Sequence, residues 1–142
     1  EVTMFDELYQ QYRSLIARDA ILIVEGNLRF DDFVDDWRVA AKRILDIAQA
    51  REQYARRLVL RWPASRARNG DAGKFVAALE QALKPSQGGK CNVAVRFANG
   101  EAASIITFGE QWKVRPSREL IERLGSLVGR EGVELYYAPR DT

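Results

Sequence analysis

The run ILIVEGNLRFDDFVDDWRVAAKRILDIAQAREQY, residues 21–54, places four structural elements in a fixed order. An apolar strand passes through Gly26 and continues to Phe30, and four nearby aspartates then form an acidic turn. A second strand follows, and residues 46–57 carry the pattern of a basic helix. Glycine within a strand favours a bend or a bulge, so we expect the first strand to coil strongly at Gly26.

The second half of the chain predicts the order β-α-β-β-α-β. The residues that mark where its elements start and end are predicted helix caps at Asp71 and Ser117, helix ends at Pro85 and at Gly129 or Gly132, and a hairpin turn at Asn99-Gly100. Residues 63–70 read as a loop. This order predicts a split β-α-β-β-α-β unit, in which two helices cover one face of a four-stranded antiparallel sheet. With the β-α-β-β start of the chain, the predicted fold class is α+β.

Composition argues for a binding module rather than an enzyme. Histidine is absent and Cys91 is the single cysteine, which removes a Cys/His metal site and a histidine-activated nucleophile. Neither glycine-rich phosphate loop is present. We therefore predict no catalytic residue, no metal and no cofactor. Cys91 is interpreted as a strand residue, and a lone cysteine without a signal peptide or a spanning segment fits the cytoplasm.

Charge is distributed unevenly along the 142 residues, although the net charge is only +2. Residues 1–45 hold nine acidic and six basic residues. Residues 46–70 hold six arginines against two acids, and they form the one candidate electrostatic footprint for nucleic acid. The four aspartates of the turn, Asp31, Asp32, Asp35 and Asp36, are interpreted as turn formers rather than metal ligands.

Three further stretches of sequence carry a family resemblance. They are FDDF at residues 30–33, FGEQWKVRPSRELI at 108–121 and GVELYY at 132–137. Asp46, Ile47, Ala50, Arg51, Tyr54 and Ala55 in addition fit a D-I-x-x-A-R-x-x-Y-A helix. In this order the chain resembles the C-terminal region of the bacterial DNA polymerase III alpha subunit, the replicative polymerase.

The resemblance implies a domain organisation. Residues 1–45 would form the second half of an OB-fold, residues 46–57 a connecting basic helix, and residues 58–142 a C-terminal domain that binds the tau subunit of the clamp loader. A complete OB barrel needs two more strands before the first helix, so we expect the first half to lie upstream in a longer chain. The catalytic residues of the DNA polymerase would also lie upstream. Expected partners are tau, the rest of the alpha chain and, weakly, single-stranded DNA, with no membrane contact.

Candidate nucleic-acid-binding residues combine rings with cations. They are Arg29, Phe33, Arg38, Lys42, Arg43, Arg56 and Arg57, the last two expected on the basic helix. OB-folds bind single strands by stacking bases on rings and pairing phosphates with cations. Phe30 and Trp37 have two open interpretations: they stack bases, or they pack the barrel.

Candidate protein-binding residues lie near the end of the chain. They are Trp112, Leu120, Leu124, Leu135, Tyr136 and Tyr137. Tryptophan and tyrosine dominate binding hot spots, and adjacent tyrosines on a strand place one ring on each face. Trp112 as a core residue is the alternative. For the whole chain, a small-molecule-binding regulatory domain and a stand-alone single-stranded DNA-binding module also stay open.

Overall fold

The computed structural model describes residues 1–62, 72–98 and 102–137. The chain divides into two compact units, Glu1–Ala50 and Arg51–Thr142. The predicted loop at 63–70, the predicted cap at Asp71 and the predicted turn at Asn99-Gly100 lie outside the described residues.

The first unit follows the predicted order β-α-β-β. Its elements are β1 (Val2–Thr3), α1 (Asp6–Tyr12), β2 (Leu22–Asp31) and β3 (Asp36–Asp46). Strand β3 is central, because it pairs in parallel with β1 and antiparallel with β2. Its buried side chains Ala41, Ile44 and Leu45 form the core of this unit. Assignment of this small sheet to an OB-fold stays a prediction.

A β-bulge interrupts the β2–β3 ladder at Gly26, as the sequence predicts. Glu25 pairs with Arg43 and Gly26 pairs with Ala41, so Lys42 is the extra residue on β3. A Cβ atom at Gly26 would collide with the carbonyl oxygen of Ala40. The bulge therefore depends on glycine because the two backbones approach too closely for any side chain.

Replacing Gly26 with alanine is expected to lower the free energy of unfolding of the first unit by about 1–3 kcal/mol, because the ladder must shift to admit the new atom. Urea-dependent hydrogen exchange of the β2 and β3 amides would measure the change locally. Gly73→Ala is the matched control, since a Cβ there meets open space. Equal tolerance of both substitutions would contradict the predicted steric role.

The described residues of the second unit form one four-stranded sheet and two long helices. Its elements are β4 (Ala55–Trp62), α3 (Ala72–Leu83), β5 (Gln87–Ala98), β6 (Ala103–Thr107), α4 (Arg118–Val128) and β7 (Val133–Tyr137). The predicted order β-α-β-β-α-β and the α+β class are thus confirmed. The order of strands across the sheet is β6-β5-β4-β7.

The prediction of a split, fully antiparallel sheet is wrong in its strand pairing. Strands β4 and β5 are direct parallel neighbours, whereas β6 and β7 pair antiparallel at the two edges. A helix that connects two strands lets the second run in the direction of the first, so α3 permits this parallel pair. The consecutive residues Leu58, Val59 and Leu60 are all buried, as is typical of a central strand with a parallel neighbour.

Helices α3 and α4 pack against one face of this sheet. The core there includes Leu58 and Leu60 of β4, Leu79 of α3, and Leu120 and Leu124 of α4. The backbone N–H of Leu120 donates to the Ser117 hydroxyl at 3.2 Å, which confirms the predicted cap. Helix α4 ends at Gly129, whose φ of 85° suits glycine.

The connecting helix is shorter than the sequence predicts. Helix α2 spans Ile47–Tyr54, and it starts with a reciprocal cap in which Asp46 and Gln49 each accept the other's backbone N–H. Arg56 and Arg57 lie on β4, not on the helix. The reason is that Ala55 and Arg57 pair with Tyr137 and Tyr136 of β7, so ladder hydrogen bonds replace helical ones from residue 55 onward.

Within the described parts of the chain, no helix has the length and apolar character needed to cross a membrane.

Candidate functional site

The acidic turn between β2 and β3 uses its carboxylates to hold its own backbone. Asp31 accepts the backbone N–H of Phe33 at 3.0 Å, and Asp36 accepts that of Trp37 at 2.7 Å. Asp35 adopts a φ of 52°, a left-handed conformation that aspartate tolerates in turns. Across the described residues, no three carboxylate or cysteine groups lie close enough together to hold a metal ion.

Cys91 lies inside the second unit. Its side chain is buried in the core formed by α3, α4 and the sheet. Burial raises the pKa of the thiol to about 11, and nearby Arg56 only partly opposes this shift. Because a thiolate is the reactive form, this cysteine is inert at neutral pH, as its interpretation as a strand residue implies.

Three of the predicted nucleic-acid-binding residues surround one shallow cavity in the first unit. Arg29, Phe33 and Arg38 line it together with Asp31 and Asp32, and its volume is about 370 Å³. Arg38 is occupied, since it forms ion pairs with Asp31 at 2.9 Å and with Glu1 at 3.2 Å. Phe33 is fully exposed. The cavity therefore offers Arg29 and the two rings of Phe30 and Phe33, but its acids offset its basic charge.

Phe30 and Trp37 form an aromatic pair on the two-stranded ribbon of β2 and β3. They are cross-strand neighbours with centroids 5.4 Å apart in an edge-to-face arrangement. Their exposed fractions are 45% and 55%. Arg29 and Arg38 pair at the adjacent position, so alternation places these cations on the opposite face of the ribbon from the two rings.

The remaining predicted cations are spread along the chain. Lys42 is the exposed bulge residue, and Arg43 lies 4.0 Å from Glu25 in an ion pair. Arg56 donates to the carbonyl of Gln53, and Arg57 reaches across the sheet to the hydroxyl of Thr107 at 3.2 Å. The structure therefore does not gather all seven predicted residues in one site.

Trp112 lines an apolar groove in the second unit. It belongs to a short 3-10 turn, Glu110–Trp112, and its ring is half-buried beside Phe108, with centroids 6.5 Å apart. The groove has a volume of about 290 Å³ and lies between this turn and α3. Its lining residues include Val76, Leu79, Leu83, Phe108 and Trp112, with Glu80 as the charged member.

Leu120 and Leu124 do not belong to an exposed surface, which corrects their predicted role. Both are 0% exposed and pack in the core of the second unit. The physical reason is that α4 turns this face toward the sheet and α3. Apolar residues at helical spacing mark a buried face equally well whether a partner or the domain's own sheet covers it.

The last strand presents its two tyrosines to solvent. Tyr136 and Tyr137 are 45% and 51% exposed, whereas Leu135 is half-buried and packs against the core. Tyr136 pairs with Arg57 and donates its hydroxyl to Glu134 at 2.6 Å. None of these residues lines the groove around Trp112, so the predicted protein-binding set divides between two places.

Sequence reasoning missed the other walls of the groove. Val76 is 56% exposed on α3, and Phe108 follows the edge strand β6. Val76 reads as a core position because it shares the helical period of Phe75 and Leu79. The available signal was the excess of apolar residues on α3, which makes its apolar stripe wider than one sheet face can cover.

Exposed aromatic rings and cations on a two-unit α+β scaffold are the kind of surface that binding segments use. Residues 78–129 match the family model described as DNA polymerase III subunit alpha, C-terminal domain. The chain is homologous to the C-terminal region of bacterial DNA polymerase III subunit alpha, and the resemblance stated from the sequence is thereby confirmed.

Curated relatives extend the similarity over nearly the whole chain. DNA polymerase III subunit alpha of Escherichia coli K12 is 34% identical over 137 residues, which cover 96% of this chain and 12% of the relative. The proteins of the same name from Vibrio cholerae and Pseudomonas aeruginosa are each 31% identical over the same length. The chain thus spans about an eighth of the length of these relatives and corresponds to their C-terminal region.

Proposed function

We propose that this chain is the C-terminal part of a replicative DNA polymerase III alpha subunit, and that its second unit tethers the polymerase to the tau subunit of the clamp loader. The observation that carries the proposal is the apolar groove around Trp112. The parent chain is then a cytoplasmic DNA-directed DNA polymerase whose catalytic residues lie elsewhere. A tether acts by raising effective concentration at the replication fork, without chemistry of its own.

The groove has the chemistry of a protein-binding site. Its floor is made by leucines and rings, and its charged member Glu80 is already paired with Lys84 at 2.9 Å. Interface anchors are large apolar or aromatic side chains that enter small pockets. A groove of about 290 Å³ lies at the low end of the range for small-molecule sites, so it suits a few side chains of a partner better than a metabolite.

Titration calorimetry of the full chain with the C-terminal region of tau tests this tether. One-to-one binding is the expected result, with a negative heat-capacity change because apolar surface is buried. Absence of heat at several temperatures, with both proteins folded, would contradict the proposal. The matched control is the Val76→Arg variant, which places a charge at the mouth of the groove.

The first unit is proposed to contact single-stranded DNA weakly. Arg29 and Lys42 are exposed cations, and the exposed rings of Phe33, Phe30 and Trp37 can each stack a base. The acids of the turn and the ion pairs of Arg38 limit this contact, since they cancel much of its positive charge.

Replacing Arg29 and Lys42 together with alanine is expected to reduce the salt dependence of oligonucleotide binding. Each lost phosphate contact lowers the slope of log K against log salt by about 0.7 for a single strand, so the double variant should lose about 1.4. Fluorescence anisotropy with labelled oligothymidylate measures it. Arg13→Ala with Arg18→Ala removes equal charge from exposed positions elsewhere in this unit. Equal slopes for both double variants would contradict a specific surface.

A further inference from the structure

Among the residues that the structure describes, the two long helices of the second unit lie on only one face of its sheet. Helices α3 and α4 pack on the side of Leu58 and Leu60, so alternation turns the neighbouring positions of β4 to the other side. We call this the open sheet face and define it by Arg57 and Arg61 on β4, Arg96 on β5, Thr107 on β6, and Glu134 and Tyr136 on β7. Strand register places these residues side by side. The smaller side chains between them, Val59 and Ala94, are buried.

The positive charges of this face lie on adjacent strands. Arg61 and Arg96 are direct partners in the parallel β4–β5 ladder, and Arg57 lies four residues before Arg61 on the same strand. Like charges at paired positions on neighbouring strands destabilise a sheet. Glu134 offsets part of this repulsion, since it forms an ion pair with Arg61 and lies within the field of Arg96. Three arginines against this one acid leave a net positive charge on the face.

A cavity opens next to the same pair. Arg61 and Arg96 line a space of about 340 Å³ with Trp62 and Ala98 at the carboxyl ends of β4 and β5, and with Glu131, whose negative charge offsets part of theirs. Ligands of sheets with parallel strands bind in the crevice outside these ends. Two guanidinium groups beside one concave space match a phosphate group, which accepts several N–H donors at once.

Tyr136 adds an aromatic ring to this cationic face. Its side chain is 45% exposed and is the register partner of Arg57. The hydroxyl is fixed by its hydrogen bond to Glu134 at 2.6 Å, which orients the ring. Surfaces that bind single-stranded nucleic acid commonly combine aromatic rings that stack on bases with nearby cations that contact phosphates. An acidic peptide would use the cations but not the ring.

We infer that the open sheet face binds single-stranded nucleic acid, with Arg57, Arg61 and Arg96 contacting phosphates and Tyr136 stacking on a base. Arg57 and Arg61 stand about 13 Å apart along β4, a distance that a flexible strand spans in a few nucleotides. This site extends the DNA contact proposed for the first unit and does not depend on it, because the two surfaces share no residue.

Glu134 reduces the positive charge of this face. Its carboxylate forms an ion pair with Arg61, and the hydrogen bond from Tyr136, with the charges of Arg61 and Arg96, lowers the pKa of Glu134. The group is thus ionised at neutral pH, and it cancels one of the three positive charges. Removing its charge should strengthen nucleic-acid binding, which a purely structural role for the arginines would not predict.

Anisotropy titration of the full chain with labelled oligothymidylate tests the inference. We expect Arg61→Ala with Arg96→Ala to weaken binding at least tenfold at low salt and to reduce the salt slope by about 1.4. Glu134→Gln should strengthen binding severalfold, and Tyr136→Leu should weaken it without changing the slope. Arg118→Ala with Arg130→Ala, outside the open sheet face, is the charge-matched control. Circular dichroism would verify that each variant is folded.

Four outcomes would overturn the inference. In the first, the control weakens binding as strongly as the Arg61 and Arg96 variant, and in the second, Glu134→Gln leaves affinity unchanged. In the third, polyglutamate competes as well as the oligonucleotide while Tyr136→Leu has no effect, which would indicate an acidic peptide instead. Loss of binding in the Arg29 and Lys42 variant alone would uphold the contact of the first unit and reject the one inferred here.

Discussion

Replacing Leu124 with alanine is expected to lower the free energy of unfolding of the second unit by about 3–4 kcal/mol. The side chain is 0% exposed and joins α4 to the core. Truncation of a buried leucine removes its transfer free energy and leaves a cavity that the neighbours fill only in part, with losses of about 2–5 kcal/mol in such cases. The effect should fall on stability and not on a partner's affinity.

Urea unfolding followed by tryptophan fluorescence would measure this change in a Trp37→Phe background. Trp62 and Trp112 then report on the second unit alone, so the transition of the first unit does not distort the fit. Val76→Ala is the control, because Val76 is more than half exposed and its truncation should cost under about 1 kcal/mol. If Leu124→Ala keeps full stability but binds tau more weakly, Leu124 belongs to the protein-binding surface that the sequence predicts.

Replacing Trp112 with alanine is expected to weaken binding of tau by about 2–4 kcal/mol, which is roughly 30- to 1,000-fold in Kd. The ring is half-buried, contacts Phe108 and forms one wall of the groove. An aromatic side chain in that position supplies a large apolar contact area with little conformational entropy to lose. Titration calorimetry against the C-terminal region of tau measures the loss.

Trp112 also touches the core, so affinity and stability must be separated. Val76→Arg changes the mouth of the same groove from an exposed position, and it should weaken binding while the free energy of unfolding changes by less than about 0.5 kcal/mol. If Trp112→Ala loses stability in proportion to affinity and Val76→Arg binds normally, Trp112 is a core residue and the groove is not the docking site.

Local sequence signals predicted the strands, helices and caps of this fold better than they predicted which strands pair with each other. The bulge at Gly26 and the cap at Ser117 each depend on one residue and the few around it, and both were predicted. Parallel pairing of β4 with β5 was not predicted, because the order of elements along the chain does not specify which strands meet. The consecutive buried residues Leu58, Val59 and Leu60 were the overlooked sign of a central strand.

The candidate sites likewise combine properties that depend on nearby residues, which the sequence predicts, with properties that depend on distant ones. Exposure of Tyr136 and Phe33 followed from strand alternation and turn chemistry, which are local properties. Burial of Leu124 and the ion pairs of Arg38 depend on which face another element covers and on side chains distant in sequence. The pairing of Arg61 with Arg96 likewise needed the register of the sheet, so no inspection of the sequence alone could place them together.

The position of β4 between β5 and β7 has a consequence for biosynthesis. Leu58 pairs with Leu135, which the ribosome adds much later, so the sheet cannot close until β7 has emerged. Until then one edge of β4 stays unpaired, and an unpaired edge of an apolar strand invites aggregation. Contacts between such distant segments also form slowly. The sheet of the second unit is therefore completed only after β7 has left the ribosome, and nascent chains that stall before β7 are natural clients for chaperones.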